Sequence, residues 1–313
     1  MTGEGVTLLD GAMGTELRMR GVEVPDHITS IWSAKSLLDA PEVVVAIHRD
    51  YIDAGARVIT ANNYMVTPPL LARAGLEDRL EELAVRSVEL AERARDAAGR
   101  PVRIAASLPP LSTSYRAEMV GDDAEILADY RRLAEILAPR VDLLLCETMS
   151  SAREGAAAAT AASETGREAW LSWTLQGDRP DRLPSGETLE EAFTAADGLG
   201  IAAFLVNCCA ANFVTRAVPI LRRLTELPVG GYANSINVVP ADGTASGIAP
   251  EQLPNEPLDV DRYATAAAQW IEDGATLVGG CCSTSPAHIA RIQRLIDEGP
   301  SGLPSQSAAR SAG

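Results

Sequence analysis

The chain alternates short, β-branched apolar runs with stretches of helical spacing, and it does so eight times. The runs cover residues 6–9, 58–61, 102–106, 141–146, 169–175, 201–206, 228–233 and 276–280. Helical spacing follows at 41–54, 70–98 (interrupted by Gly75), 124–137, 152–165, 189–196, 213–225, 260–273 and 286–297. Eight strand–helix units in a chain of 313 residues is the arithmetic of an α/β fold of the (β/α)8 barrel type. An open, doubly wound sheet shares the alternation. The barrel is favoured by where the unusual residues fall. Asp10, Asn63, Glu147, Cys208, Asn234, Cys281 and Cys282 all sit at the C-terminal end of a run. In a closed barrel they ring one mouth, the face on which barrel enzymes carry their chemistry. A single domain over 1–298 is expected, with a Ser/Gly/Ala-rich tail, 299–313, left disordered.

Two vicinal thiol pairs stand out in that ring. Cys208-Cys209 ends the apolar run Phe204-Leu205-Val206-Asn207, and Cys281-Cys282 follows Leu277-Val278-Gly279-Gly280. One such pair alone is more often core filling, since free cysteine packs as a small hydrophobe. Two pairs at the same kind of strand end, in a chain with one other cysteine, point to metal. Three thiolates gathered at a rim would hold zinc with its fourth position open, an arrangement that activates a ligand. Neighbours on an extended strand face opposite ways, so Cys208 and Cys209 are not expected to ligate together. By the same alternation Cys146 faces away from Glu147 and is expected in the core. Cys281 and Cys282 can both ligate only if the strand breaks there, which the preceding glycines permit.

Composition narrows the partners. With 27 Lys and Arg against 43 Asp and Glu the formal charge is −16, which repels phosphate backbones and argues against nucleic acid. Hydrophobic residues make up 46% of the chain, enough for a large core. Five cysteines in two adjacent pairs are no disulfide framework, and metal-binding thiols need a reducing compartment, so the cytoplasm is expected. The opening Met1-Thr2-Gly3-Glu4-Gly5 lacks the basic and apolar regions of a secretory signal, and no apolar run reaches the length of a membrane span.

Four stretches carry a resemblance to a known family. They are Asp10-Gly11-Ala12-Met13-Gly14-Thr15-Glu16-Leu17, Glu147-Thr148, Asn207-Cys208, and Gly279-Gly280-Cys281-Cys282 running into Ser285-Pro286-Ala287-His288-Ile289. With them the chain resembles the zinc-dependent homocysteine S-methyltransferases, a family of (β/α)8 barrels. The resemblance implies that Cys208, Cys281 and Cys282 hold Zn2+. It implies that Asp10 and Glu147 receive the ammonium of homocysteine, and the backbone N–H groups of Gly11 and Ala12 its carboxylate. Asn207 and Asn234, at the same rim, are expected to touch substrate. The competing roles are turn capping for Asp10 and an ion pair with an arginine for Glu147. His288, past Pro286 in the last helix, is expected to pack or cap, and His27 and His48 carry no expected chemistry.

The methyl donor follows by elimination. The chain has no room for the further modules of cobalamin-dependent methionine synthases, and 299–313 does not resemble the C-terminal extension of betaine-using relatives. A sulfonium donor, S-methylmethionine or S-adenosylmethionine, is therefore expected, giving methionine. The alternatives are betaine or another donor, a selenol acceptor, or a non-enzymatic zinc protein. Two loops at the mouth depart from the family pattern: Asn62-Asn63-Tyr64, and Ser107-Leu108-Pro109-Pro110-Leu111-Ser112-Thr113-Ser114-Tyr115, where a Gly-rich segment is common. Trp32, Tyr64 and Tyr115 are candidates for cation–π contact with a cationic donor.

Overall fold

A computed structural model describes residues 5–25, 30–175, 181–236 and 258–298. His27, the proline-containing connection before Asp259 and the 299–313 tail lie outside the described residues. Eight parallel strands form one sheet: β1 (Thr7–Leu8), β2 (Val58–Thr60), β3 (Arg103–Leu108), β4 (Leu143–Met149), β5 (Glu168–Trp173), β6 (Ala203–Ala210), β7 (Val229–Asn234) and β8 (Leu277–Gly280). β1 pairs with β8, and the order runs from β8 down to β2. The circle closes through the bridge of Leu9 to Val58 and through Arg57 N–H donating to Leu8 O (2.7 Å). This is the expected (β/α)8 barrel. Among the described residues, no helix is long and apolar enough to cross a membrane.

Period-two alternation sorts the strands into two cores. Leu9, Val58, Ala105, Leu143, Leu145, Trp170, Ala203, Leu205, Tyr232 and Leu277 fill the barrel interior. Leu144, Cys146, Phe204 and Val206 point outward into the larger layer between sheet and helices. Extending the inward parity of β4 and β6 by one step places Glu147 and Asn207 at the top of the interior.

The helices follow their sequence signals closely. Asp122 caps Asp123–Leu137, its side chain accepting from Ala124 N–H, and Thr188 and Glu191 form a reciprocal capping box on Leu189–Ala196. The structure adds elements that helical spacing alone does not reveal. A seven-residue helix, Met13–Met19, leaves the end of β1, and a 3-10 turn, Trp32–Lys35, leads into Ser36–Asp39. The turn carries Trp32 to the mouth. A Cβ on Gly14 would lie 2.3 Å from the Trp32 ring, so only glycine there lets the indole lie against the helix.

His48 lies inside helix Pro41–Asp53 with no exposure. Neither ring nitrogen has a hydrogen-bond partner among the described residues, and burial pushes its pKa from 6.5 down to about 4. A depressed histidine takes up its proton in the unfolded chain first. Stability is therefore whole above the unfolded pKa and is lost as pH falls from there toward the folded one. The two pKa values set a loss of about 3 kcal/mol across that window. A His48→Phe variant should lack this component, so that urea unfolding compared at about pH 7 and pH 5 shows a smaller acid-induced loss than in the parent.

Candidate metal centre and substrate cavity

Inward parity at β6 would leave Cys208 pointing away from the barrel axis. A break in the strand turns it back. Cys208 has φ +54°, and the β6–β7 register shifts between Asn207 and Ala210. β4 carries the same device: Thr148 has φ +62°, with a shift between Cys146 and Met149. Left-handed backbone is costly for residues with a Cβ and persists where the surroundings enforce it. Here the side chain of Asn207 joins the two kinks. Its Oδ1 accepts from Thr148 N–H (2.9 Å) and Ser172 Oγ–H (2.7 Å), and its Nδ2 donates to Thr148 Oγ1 (2.8 Å).

On the far side of the mouth β8 ends at Gly280, and Cys281 and Cys282 lie in the turn beyond it. The expected conformational role of the glycines is corrected by the geometry. Gly280 does not take the left-handed conformation; Ser283 does, at φ +62°. Gly280 is needed for space, because a Cβ there would lie 2.3 Å from Thr284 Oγ1. Thr284 in turn ties the turn together, its hydroxyl donating to Cys281 O (2.7 Å). Asn234 Oδ1 accepts from Cys282 N–H (2.9 Å), and Cys281 N–H donates to Ala233 O (2.8 Å).

The result is convergence of the Cys208 sulfur with those of Cys281 and Cys282, 73 and 74 positions further along the chain. The Sγ atoms of Cys208, Cys281 and Cys282 all lie within 4.8 Å of one another, with Cys208 and Cys282 at 3.7 Å. Tetrahedral zinc with bonds near 2.3 Å holds its sulfurs about 3.8 Å apart. All three are free thiols, and among the described residues no fourth metal-binding side chain joins the group. The donor set therefore fits a metal with one position left for a ligand. Hydrogen bonds from Cys208 and Cys281 hold the Cys282 thiol well below the usual thiol range, so one sulfur of the cluster ionises readily. Cys146 and Cys209 are buried in the outer core, where burial raises both thiols above the range in which they would ionise.

The sulfurs face a cavity of about 200 Å3. Asp10, Gly11, Ala12 and Glu147 line it, together with Trp32, Tyr64, Tyr115 and Tyr232. Asp10 is 8% exposed and accepts from Thr60 N–H (2.8 Å), a contact that links β1 to β2 instead of capping its own turn. Burial pushes its pKa up to about 8, with repulsion from Glu147 adding to the rise. Glu147 is likewise pushed up to about 7 by burial. Its hydrogen-bond partner is the Tyr232 hydroxyl (3.1 Å), not an arginine. Among the described residues, no lysine, arginine or histidine lines the cavity.

Three sequence expectations need qualification. Asn207 and Asn234 are buried and lie outside the cavity lining; their side chains position Thr148 and Cys282. Ala12 N–H donates to Thr284 Oγ1 (3.3 Å), so this amide is already engaged within the protein. His288 Nδ1 accepts from Ser285 N–H (3.1 Å) at the start of the last helix, and its ring meets Tyr263 edge-on. Tyr232 is the residue that sequence reasoning overlooked. Its inward parity two positions before Asn234 is the signal that could have found it.

Fold and site together define a (β/α)8 barrel whose mouth carries three thiols able to hold a metal beside two buried carboxyls. A family model described as homocysteine S-methyltransferase matches residues 7–296. A homocysteine S-methyltransferase of Escherichia coli is 32% identical, across 93% of this chain and 95% of its own. A selenocysteine methyltransferase of Astragalus bisulcatus is 30% identical over 94% and 93%. The crystal structure of the metallated form of the homocysteine methyltransferase MmuM from Escherichia coli superposes with a TM-score of 0.78, at 32% identity, covering 93% of this chain and 96% of that one. The chain belongs to the homocysteine S-methyltransferase family.

The role given to Gly280 is open to a direct check. Gly280→Ala should keep the barrel but displace the Cys281–Thr284 turn, at a cost of about 1–3 kcal/mol. A drop in Tm of a few degrees, together with metal retention after dialysis reduced several-fold, is the expected result by thermal melt and metal analysis.

Proposed function

We propose that the protein transfers a methyl group from a sulfonium donor, S-methylmethionine or S-adenosylmethionine, to the sulfur of homocysteine, with Zn2+ held by Cys208, Cys281 and Cys282. The observation that carries this reading is the convergence of three free thiols beside two buried carboxyls in a cavity that no cationic residue lines among those described. An all-sulfur donor set is soft and suits zinc. Zinc bound there would act as a Lewis acid, lowering the pKa of the substrate thiol so that it is a thiolate near neutral pH.

The chain's own residues supply position and charge. Asp10 and Glu147 are buried with no positive partner among the described residues, and an amino acid's ammonium is a group that would meet both. Tyr232 fixes the orientation of Glu147 from the floor of the cavity. Trp32, Tyr64 and Tyr115 line the same cavity and supply aromatic rings for a cationic donor. In the transfer the bond from sulfonium sulfur to methyl carbon breaks as the thiolate sulfur forms its own bond to that carbon. The sulfonium leaves as a neutral thioether, so no proton has to be moved and no general base is required. What remains is to hold two sulfurs and a carbon in line.

An acidic, cation-free wall also selects among donors. It welcomes sulfonium or quaternary ammonium groups and opposes an anionic folate. Offering homocysteine with S-methylmethionine, S-adenosylmethionine, betaine and methylfolate in parallel, and measuring methionine, tests the reading. Turnover with a sulfonium is expected, and a Cys281→Ala variant should lose both bound zinc and turnover. Methylation from betaine alone, or full activity in a zinc-free variant, would overturn the assignment.

The raised carboxyls predict how binding responds to pH. Both pKa values lie above the usual carboxylate range, so the ammonium meets neutral acids at low pH and anions at high pH. Affinity for homocysteine should rise through about pH 7 to 8, seen as a falling KM. Glu147→Gln should flatten part of that rise and weaken binding about ten- to a hundredfold, the value of a charge-assisted hydrogen bond. An analogue without the amino group isolates the thiol's own contribution and should show a shallower dependence.

A further inference from the structure

Tyr115 stands at the end of the loop that departs from the family pattern, and it makes a contact that the reaction scheme above does not use. Its hydroxyl lies 2.8 Å from Cys208 Sγ and 3.2 Å from Cys208 O. A phenol carries one proton, and its ordinary pKa near 10 makes it a donor at neutral pH. The carbonyl has Thr174 Oγ1–H as another donor (3.3 Å), so a phenol proton directed at the closer sulfur leaves neither acceptor without a partner.

The loop is built to hold the phenol there. Tyr115 has φ +66°, a conformation that costs a residue with a Cβ of order 1 kcal/mol or more and that packing must enforce. Ser114, its neighbour, is hydrogen-bonded to the Tyr64 hydroxyl at 2.7 Å. Thr67 Oγ1–H donates to Leu111 O (2.7 Å), Arg73 donates to Ser112 O, and Tyr130 donates to Pro109 O (3.0 Å). Four side chains from outside the segment thus pin the stretch from Pro109 to Tyr115. For packing alone, a phenylalanine without strain would serve.

A phenol oxygen could instead be a fourth metal ligand, but the spacing opposes this. Oxygen and sulfur bound to one tetrahedral zinc would sit about 3.5 Å apart. The observed 2.8 Å fits a hydrogen bond to the sulfur and leaves the open position to substrate.

We infer that Tyr115 is a positioning residue that donates a hydrogen bond to the Cys208 thiolate and so sets how much charge that sulfur gives to the metal. A thiolate that shares its charge with a donor gives less to the metal, and partners of metal ligands tune the metal in this way. A metal held by the three thiols would then withdraw more strongly from the substrate's sulfur and would keep its thiol ionised to lower pH. The effect on turnover rests on the proposed function; the effect on the metal centre does not.

The test uses Tyr115→Phe, which removes only the oxygen, in the full-length protein loaded with Co2+ as a spectroscopic probe. Loss of the hydrogen bond should move the thiolate-to-cobalt charge-transfer band to longer wavelength without changing the d–d bands. In the zinc-loaded enzyme the acid limb of kcat/KM should move up by roughly half a unit to one unit of pH. Incorporating 3-fluorotyrosine at 115, a stronger donor of the same shape, should move the band the opposite way, and it decides the matter if the phenylalanine variant does not fold. A band unmoved in both variants overturns the inference, as does a change confined to the d–d bands, which would mark the phenol as a metal ligand. A shifted band in a protein that methylates nothing would leave the hydrogen bond standing and remove the function instead.

Discussion

The convergence of the three thiols depends on two broken strands. β4 and β6 run in register until Glu147 and Asn207, and there each takes one left-handed residue, Thr148 and Cys208. Without the kink at Cys208 its sulfur would follow Cys146 and Phe204 into the outer layer. The amide of Asn207, on β6, makes three hydrogen bonds, two to Thr148 where the β4 ladder is interrupted and one to Ser172 on β5. A buried polar group of this kind is stabilising only while every partner is present. Among the described residues, the five non-glycine residues with positive φ are Trp32, Tyr115, Thr148, Cys208 and Ser283. Each lines the cavity or adjoins a residue that does, so the backbone strain of the fold is gathered at its reactive end.

Charge in the cavity is arranged by omission. The walls carry carboxyls, thiols and aromatic rings, and no basic side chain lines the cavity among the described residues. Left to themselves, Asp10 and Glu147 tend to keep their protons, because burial disfavours the anions and each repels the other. Under the proposed function their ionisation would be linked to the arrival of a cation, so that binding would select an amino acid by its ammonium group as well as by its sulfur. A lysine or arginine in this wall would ionise the acids permanently and forfeit that selection.

Much of this was legible in the sequence because it is periodic or local. Strand and helix positions follow from the spacing of apolar residues, and observed boundaries differ from expectation by a few residues at most. The ring of Asp10, Glu147, Cys208, Cys281 and Cys282 follows from their common place at strand ends. What the sequence did not disclose depends on contacts between distant residues. That Asn207 serves Thr148, 59 positions away, and Tyr115 serves Cys208, 93 positions away, has no local signature. The same holds for Gly280: its need for space against Thr284 appears only once the turn is folded. Trp32 reaches the mouth on a 3-10 turn too short to register as a helical period.

The pairing of β1 with β8 joins the beginning of the chain to its end. Thr284 bonds to Ala12 N–H, Ser283 N–H donates to Thr15 Oγ1 (3.2 Å), and the Tyr51 hydroxyl lies within 3.1 Å of both Ala12 O and Thr284 O. Two of the three sulfurs also belong to this last segment. During synthesis, a ribosome that has delivered the first seven strands has therefore made a polypeptide with a single candidate ligand and an unfinished wall around Asp10. Under the proposed function, metal capture and substrate recognition would both wait for this last segment, and a prematurely terminated product would manage neither.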